Sequence, residues 1–275
     1  MKVVILCGGL GARLREETEF RPKPMVKIGT KPILWHIMKI YASHGFKDFV
    51  LCLGYKGEII KEYFYNYDLY NNDFTVCLGS RRVIHTRDSH DGVDWRVSLI
   101  DTGETALKGA RVKRIEELID DDDFMLTYGD GVGNIDIRQL CEFHRAHGKI
   151  ATVTGVRPPS LFGELQVRDN QVELFTEKPQ TSSGLISGGF FVFSRRVFEY
   201  LSAADDCDLE RGPLEQLAHE GQLMVYPHRG DWACVDTYRD LQHMNQLWSK
   251  GEAFWKVWDA TSTAKDHRKT LKEQA

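Results

Sequence analysis

Residues 1–14 read MKVVILCGGLGARL, an apolar run that ends in three closely spaced glycines. The run over 2–7 is rich in β-branched residues, which predicts a buried strand. Gly8, Gly9 and Gly11 lack a Cβ, so the backbone after this strand can pass close to a ligand and direct its N–H groups at phosphate oxygens. The stretch therefore predicts a strand followed by a phosphate-binding loop.

Two familiar glycine-rich loops do not match this one. A dinucleotide-binding loop needs glycine at the position of Leu14, which argues against an NAD-dependent dehydrogenase, and a P-loop needs a following Gly-Lys-Ser/Thr. This loop instead carries a cation, Arg13, and a second cation follows at Lys23 within RPKPM (21–25), where two prolines restrict the backbone. Arginine and lysine both bind polyphosphates. The alternative is a glycine turn followed by a solvated basic loop.

Short apolar runs alternate with amphipathic stretches along the first two thirds of the chain. Alternation of this kind favours right-handed crossovers and an α/β fold with a doubly wound, mostly parallel sheet. After residue 158 the pattern predicts a small C-terminal α+β subdomain whose last helix spans 237–250. The predicted early strands are 2–7, 48–53, 74–78, 82–86, 95–100, 124–128 and 150–156, and the predicted early helices are 32–44, 58–67, 104–119 and 135–147.

Composition describes an ordinary globular protein. The 275 residues include 36 Lys and Arg against 40 Asp and Glu, a net charge of −4 that gives no general attraction to nucleic acid or to an anionic membrane surface. The apolar runs are shorter than the roughly 18 residues that a membrane helix needs, and no export signal is recognisable. Six cysteines without a C-x-x-C motif are expected to be buried free thiols, which favours a cytoplasmic location.

Two aspartates follow apolar runs and are candidate metal ligands. Asp130 lies between two glycines where a predicted parallel strand ends, which is the edge at which open α/β sheets bind ligands. A carboxylate there suits Mg²⁺, although a turn residue that caps the next helix is the alternative. Asp236 follows 233–235 and offers a second carboxylate, but either Asp236 or Thr237 is also a plausible N-cap of the last helix.

The motif GGLGARL (8–14), followed by RPKPM (21–25), resembles the signature of the sugar-1-phosphate nucleotidylyltransferases. Within that family, residues 16–18, 31–38, 54–57, 128–131, 188–191 and 236–237 resemble the glucose-1-phosphate cytidylyltransferases. The resemblance extends from residue 1 to about 258. It implies a Rossmann-like nucleotidylyltransferase domain over 1–258, a polar tail over 259–275, and transfer from CTP to a sugar 1-phosphate that yields a CDP-sugar and pyrophosphate. It also implies Mg²⁺ as cofactor and a homo-oligomer, for which the tryptophan-rich stretch 248–258 offers core or interface packing.

The resemblance further implies roles for individual residues. Arg13 and Lys23 are expected to be catalytic, and Asp130 and Asp236 to bind the metal. Nucleotide binding is implied for Leu6, Gly8, Gly9, Gly11, Ala12, Arg13, Lys23, Thr105, Arg111 and Gly129, and sugar-phosphate binding for Gly163, Glu177, Lys178, Ser187 and Gly188.

Several of these positions have plain alternatives. Arg111 is equally consistent with an exposed helix residue, and Glu177-Lys178-Pro179 with ordinary surface chemistry. The glucose-specific enzymes typically have asparagine where Ser187 stands and alanine where Glu164 stands, which leaves the acceptor open. The competing hypotheses are a related transferase with another acceptor or with dTTP, UTP or GTP, and a non-catalytic nucleotide-sugar sensor. A sensor is disfavoured because Lys23, Asp130 and Asp236 are all present.

Overall fold

The computed structural model describes residues 1–79, 82–87, 93–158, 164–168, 171–176 and 184–258, without the side chains of 82–87, 164–167 and 174–176. The tail predicted over 259–275 lies outside these residues. The strands are β1 (Val3–Leu6), β2 (Lys27–Ile28), β3 (Lys31–Pro32), β4 (Asp48–Leu53), β5 (Asp73–Cys77), β6 (Arg82–Arg87), β7 (Arg96–Asp101), β8 (Asp123–Tyr128), β9 (Gly131–Gly133), β10 (Ala151–Val156), β11 (Glu164–Arg168), β12 (Gln171–Thr176), β13 (Ile186–Ser194), β14 (Leu223–Pro227) and β15 (Trp232–Cys234).

The α-helices are α1 (Arg15–Thr18), α2 (Ile33–Ser43), α3 (Gly57–Tyr65), α4 (Tyr67–Asn71), α5 (Lys108–Lys113), α6 (Ile137–His147), α7 (Glu215–His219) and α8 (Tyr238–Ser249). Short 3₁₀ turns span Ala12–Leu14, Lys23–Met25, Glu116–Leu118 and Arg195–Tyr200, and a kinked π-turn spans Glu210–Leu214. Within the described residues, no helix combines the length and the apolar character needed to cross a bilayer.

Seven strands form the central sheet in the order β14-β10-β13-β8-β1-β4-β7. All neighbouring pairs are parallel except those of β13, which runs antiparallel to both β8 and β10. The predicted α/β class with a mostly parallel sheet is therefore confirmed. Two apolar layers cover the faces of the sheet, and residues of β1 alternate between them because successive side chains of a strand point to opposite faces.

The predicted helix over 104–119 is wrong at both ends. Residues 103–107 form a loop, α5 spans only Lys108–Lys113, and a 3₁₀ turn follows at Glu116–Leu118. Gly103 has φ of 93°, and the N–H of Leu107 donates to the carbonyl of Asp205 at 2.8 Å, so the backbone here bonds to another segment rather than along a helix. The apolar residues predicted to face inward, Ala106, Ala110, Val112 and Ile115, are nevertheless buried.

A cluster of tryptophans encloses the buried side chain of His36 on α2. The rings of Trp248 and Trp258 lie 4.7 and 6.2 Å from the imidazole, and Trp255 is completely buried. These tryptophans thus pack inside the chain, which confirms the core alternative for this stretch. The six cysteines are free thiols as predicted, but only Cys7, Cys52 and Cys141 are buried, and the other three are half-buried.

Burial keeps the imidazole of His36 neutral, although hydrogen bonds to backbone carbonyls act in the opposite direction. Its Nε2–H donates to the carbonyl of Ile28 at 3.0 Å, and its Nδ1 accepts from the indole N–H of Trp255 at 3.4 Å. A proton on Nδ1 would oppose that indole donor. Burial accordingly lowers the pKa of His36 from its usual value to about 4.

We expect acid to destabilise the protein through His36. The imidazole binds a proton at about pH 6.5 in the unfolded chain but only at about pH 4 in the folded one. The free energy of unfolding should therefore fall by about 3 kcal/mol as the pH drops through this window. Urea unfolding of the wild type and of His36→Gln measures it, since the variant should lack this part of the pH dependence. Parallel pH profiles for the two proteins would show that the loss arises elsewhere.

Candidate functional site

The sheet places the glycine loop beside the loop that carries Asp130. β1 lies between β4 and β8, and Leu6 at its end pairs with Cys52 on one side and Tyr128 on the other. Because these strands are parallel, all their carboxyl ends meet at one edge of the sheet. The loops after β1 and β8 therefore emerge side by side.

The glycine loop ends in a short 3₁₀ turn. Gly11 has φ of 62°, a left-handed conformation that favours glycine, and it precedes the turn over Ala12–Leu14. The hydroxyl of Thr18 donates to the carbonyls of Gly11 and Leu14 at 3.1 and 2.9 Å. This anchor fixes the exit of the loop and leaves the side chain of Arg13 73% exposed.

Arg111 lies beneath the glycine loop, and its burial rules out the exposed-helix alternative. Within the described part of the chain its guanidinium forms no ion pair. It donates instead to the carbonyls of Gly8, Leu53, Gly103 and Glu104 and to the hydroxyl of Thr102, at 2.7–3.2 Å. The side chain thereby ties together the segments that follow β1, β4 and β7.

The two candidate metal ligands meet although they are 106 positions apart in sequence. β15 pairs with β9, with Cys234 opposite Gly131, and the N–H of Val235 donates to the carbonyl of Asp130 at 3.0 Å. This ribbon brings Asp236 next to Asp130. Both carboxylates are partly buried, with 28% of the Asp130 side chain and 23% of the Asp236 side chain exposed.

Neither aspartate caps a helix, so the cap alternative is wrong for Asp130 and for Asp236, whereas the cap predicted at Thr237 is confirmed. Asp136 caps α6 by accepting from the N–H groups of Arg138 and Gln139. Thr237 caps α8 through a capping box with Asp240. Asp130 and Asp236 are left to face the edge of the sheet.

Lys23 bridges the two carboxylates. Its Nζ lies 2.6 Å from Asp130 Oδ2 and 2.6 Å from Asp236 Oδ1, while Arg13 Nη1 lies 2.9 Å from Asp236 Oδ2. Burial lowers the pKa of Lys23, but the charge of Asp130 and hydrogen bonds to both carboxylates outweigh it and hold the pKa above its usual value. Burial also acts against the charged form of Asp236, which raises its pKa, but Lys23 and Arg13 outweigh this effect and hold the pKa below the usual range.

The chemistry of this pair suits Mg²⁺ bound together with a phosphate ligand. The carboxylate oxygens of Asp130 and Asp236 converge on a single ammonium, so they are placed to share one cation. Among the residues that the structure describes, no group of three or more potential metal ligands occurs. Mg²⁺ is commonly held by one or two carboxylates, with phosphate oxygens and water completing its shell.

A cavity of about 500 Å³ opens between the glycine loop, the Lys23 turn and the start of α5. The predicted nucleotide-binding residues line it, with one exception: Thr105 lies outside, and its hydroxyl donates to Asp205 at 2.6 Å. The lining comprises Leu6, Cys7, Gly8, Gly9, Gly11, Ala12, Arg13, Lys23, Pro24, Ala106, Leu107, Lys108, Arg111, Tyr128, Gly129 and Asp130.

Sequence reasoning missed part of this lining. Cys7, Pro24 and Tyr128 adjoin recognised motifs, so their position along the chain was an available signal. Lys108 had none, since it was expected to lie inside the helix predicted over 104–119. Its ammonium lies 5.3 Å from the centre of the Tyr128 ring, and the Tyr128 hydroxyl donates to Glu210 at 2.5 Å.

The structure describes only some of the residues predicted to bind the sugar phosphate. Gly188, at the start of β13, is buried, and its carbonyl accepts from the indole N–H of Trp232 at 2.8 Å, while Ser187 is exposed. Gly163, Glu177 and Lys178 lie outside the described residues. Glu164 lies in β11, where its side chain is not described.

Cys234 is a further neighbour of the site. Its Sγ lies 3.5 Å from Asp236 Oδ2. Burial first, and then the charges of Asp236 and Asp130, raise the pKa of this thiol to about 12. Cys234 therefore remains a neutral thiol, and its proton is directed at the carboxylate.

Known proteins match the chain over almost its whole length. The sequence profile of the nucleotidyl transferase family matches residues 2–251. The glucose-1-phosphate cytidylyltransferase of Salmonella typhimurium is 49% identical over 262 residues, which cover 94% of this chain and 100% of that protein. The probable glucose-1-phosphate cytidylyltransferase of Bacillus subtilis is 45% identical over 258 residues, with 94% and 100% covered.

Solved structures share the architecture at lower sequence identity. A UDP-glucose pyrophosphorylase in complex with UDP-glucose has a TM-score of 0.66 at 17% identity, covering 91% of this chain and 98% of that one. HddC from Yersinia pseudotuberculosis has a TM-score of 0.65 at 22% identity, covering 90% and 99%. At these identities the likeness concerns the fold.

Substitution of alanine for either of two neighbouring glycines should affect the stability of the protein differently. A Cβ on Gly8 would lie 2.2 Å from the Arg111 guanidinium, whereas a Cβ on Gly9 would meet nothing within 4 Å. We expect Gly8→Ala to lower the free energy of unfolding by about 1–3 kcal/mol through overpacking. Gly9→Ala should change it by less than about 0.5 kcal/mol. Denaturant unfolding of the two variants checks this, and equal stabilities would mean that Arg111 does not set the shape of the loop.

Proposed function

The chain belongs to the nucleotidyl transferase family, and we propose that it transfers a cytidylyl group from CTP to α-D-glucose 1-phosphate, releasing CDP-glucose and pyrophosphate. The family resemblance predicted from residues 8–14 and 21–25 is confirmed by the match over residues 2–251, and with it the prediction of an enzyme. The names of the two cytidylyltransferase relatives support the base and the sugar. The observation that carries the proposal is the convergence of Lys23, Asp130 and Asp236 beside the glycine loop.

The cavity at the sheet edge receives the nucleotide. The N–H groups of Gly8, Gly9 and Gly11 face its phosphates, and Arg13 holds the β- and γ-phosphates that leave as pyrophosphate. The exposed guanidinium of Arg13 supports this role, because it can grip two phosphate oxygens at once. Leu6, Ala12 and Gly129 complete the nucleotide surface from within the lining of the cavity.

Transfer needs positioning and charge neutralisation rather than a base. A phosphate oxygen of the sugar 1-phosphate attacks the α-phosphorus and forms the new P–O bond. The bond from that phosphorus to the oxygen bridging the β-phosphate breaks, and pyrophosphate leaves with the electron pair. The nucleophile is already an anion, so no proton has to be removed. Lys23 stabilises the charge that develops at the α-phosphate.

Asp130 and Asp236 would hold the Mg²⁺ ion. Such an ion would supply positive charge that neutralises part of the phosphate charge, which would lower the repulsion between the two anionic substrates. The convergence of the two carboxylates on one cation supports this assignment. The coordination that they leave open is appropriate for an ion that arrives on the nucleotide.

Arg111 acts on the nucleotide through the backbone. Most of its donors are taken up by carbonyls at the strand ends, so it shapes the glycine loop and adds a buried positive charge below the cavity. Thr105 contributes by the same indirect route, since its hydroxyl ties the loop before α5 to Asp205.

The acceptor lies on the β13 side of Asp130. Lys178 grips the sugar phosphate and Glu177 accepts from sugar hydroxyls, as the family resemblance implies, with Gly163, Ser187 and Gly188 completing the surface. The buried Gly188, held by Trp232 of the same ribbon that carries Asp236, supports this placement.

The protein functions in the cytoplasm as a homo-oligomer. Its six free thiols are typical of a reducing compartment. Large apolar side chains on one stretch of chain favour a subunit contact there: Tyr65, Tyr70 and Leu78 are 90%, 60% and 86% exposed.

Pyrophosphate release is the direct test of the reaction. With Mg²⁺ and glucose 1-phosphate, we expect CTP to be used at least about tenfold more efficiently, in kcat/KM, than UTP, dTTP or GTP. Lys23→Ala should lower kcat roughly 100-fold, because it removes a donor to the transition state. It also serves as the control for contaminating activity. A faster reaction with another nucleotide would overturn the base, and no release with CTP would overturn the sugar.

The dependence of the rate on Mg²⁺ concentration should distinguish variants of Asp236 from variants of Asp240, four residues further along the chain. Asp236→Asn weakens the metal site, so we expect the Mg²⁺ concentration for half-maximal rate to rise about tenfold or more. Asp240 sits in the capping box, and Asp240→Asn should lower the free energy of unfolding by about 1 kcal/mol while leaving the metal requirement unchanged. An unchanged metal titration for Asp236→Asn would contradict its role as a ligand.

A further inference from the structure

Lys23 occupies the space between the two metal-binding carboxylates. Its side chain is only 12% exposed, and its ammonium contacts Asp130 and Asp236 at the same distance of 2.6 Å. The backbone around it is a 3₁₀ turn that begins after Pro22 and includes Pro24. The ammonium is thus aimed at this point by a restricted segment of chain.

The charges at this point are already balanced. Arg13 contacts the second oxygen of Asp236 at 2.9 Å, so two cationic side chains face two carboxylates. A divalent ion brought to Asp130 and Asp236 would meet the ammonium of Lys23 at close range. Like charges at such a distance repel strongly in a partly buried site, so ion and ammonium exclude one another.

We propose that Lys23 is the resident counter-ion of the metal site, and that it exchanges with the divalent ion when the metal–nucleotide complex binds. This rests on the proposed function, because the displaced ammonium needs a new anionic partner. Lys23 also lines the cavity below the glycine loop, where a phosphate would lie. The four-carbon stem of lysine allows its ammonium to turn from the carboxylates to that phosphate without moving the backbone.

The exchange makes metal binding depend on the nucleotide. Without a phosphate in the cavity, the divalent ion would have to displace Lys23 from both carboxylates, and the described residues that line the cavity include no acidic side chain other than Asp130. With the phosphate present, the carboxylates receive the ion and the phosphate receives the ammonium. Linkage requires the converse as well, so the metal strengthens nucleotide binding by the same factor.

A titration of Mn²⁺ into the nucleotide-free protein, followed by the EPR signal of free Mn²⁺, tests this proposal without turnover. The wild type should show no saturable site below about 1 mM. Lys23→Met keeps the length of the side chain but removes its charge, and it should bind Mn²⁺ roughly 100-fold more tightly. Lys23→Arg retains the charge and should behave as the wild type does.

A double variant tests whether the Mn²⁺ site that Lys23→Met acquires includes Asp236. Lys23→Met/Asp236→Asn should lose the tight Mn²⁺ binding that Lys23→Met alone acquires. Equal Mn²⁺ affinity in Lys23→Met and the wild type would overturn the proposal and make Lys23 a fixed ion-pair partner. A micromolar Mn²⁺ site in the nucleotide-free wild type would overturn it too, and this measurement needs no variant to fold. No nucleotide or acceptor enters these titrations, so their outcome is separate from that of the pyrophosphate assay.

Discussion

A single buried guanidinium connects the parts of the sheet edge on which the site depends. Arg111 enters from α5 and reaches the backbone that follows three parallel strands, β1, β4 and β7. The carbonyls of Gly8 and Gly103 lie just beyond their strands and that of Leu53 ends β4, where a buried carbonyl left without a donor would cost about 1–3 kcal/mol. One side chain with several fixed donors satisfies them together. Arg111 therefore fixes the shape of the glycine loop before a ligand binds.

The ribbon of β9 and β15 supplies the second constraint. It joins a segment from the middle of the chain to one near its end and sets two carboxylates side by side, where they would repel if Lys23 did not lie between them. The side chains of Thr237 and Asp240 form a capping box that satisfies backbone N–H groups at the start of α8. Asp236 is therefore not needed as the helix cap, which is the role that an Asp-Thr pair suggests in sequence.

Local pattern predicted most of the fold. The β-branched run of β1, the amphipathic period of α2 and the strand before Asp130 all formed where expected, because each depends on neighbours in sequence. The failures have a common origin in distant contacts. Residues 104–107 had an adequate helical pattern, but the N–H of Leu107 donates to the distant carbonyl of Asp205. The motifs identified Asp130 and Asp236 individually, yet no local rule indicates that Lys23 lies between them.

The reversed direction of β13 has a consequence for how the protein can diversify. The nucleotide side of the cleft is made from loops that follow parallel strands, whereas Ser187 and Gly188 reach the same edge only because β13 begins there. The two halves of the cleft are thus encoded in separate stretches of chain, which Trp232 of the β9–β15 ribbon links through its bond to Gly188. Under the proposed function, a substitution near residue 187 would change the acceptor side, whereas Arg111 and the glycine loop belong to other segments. Donor choice and acceptor choice would then be open to change one at a time.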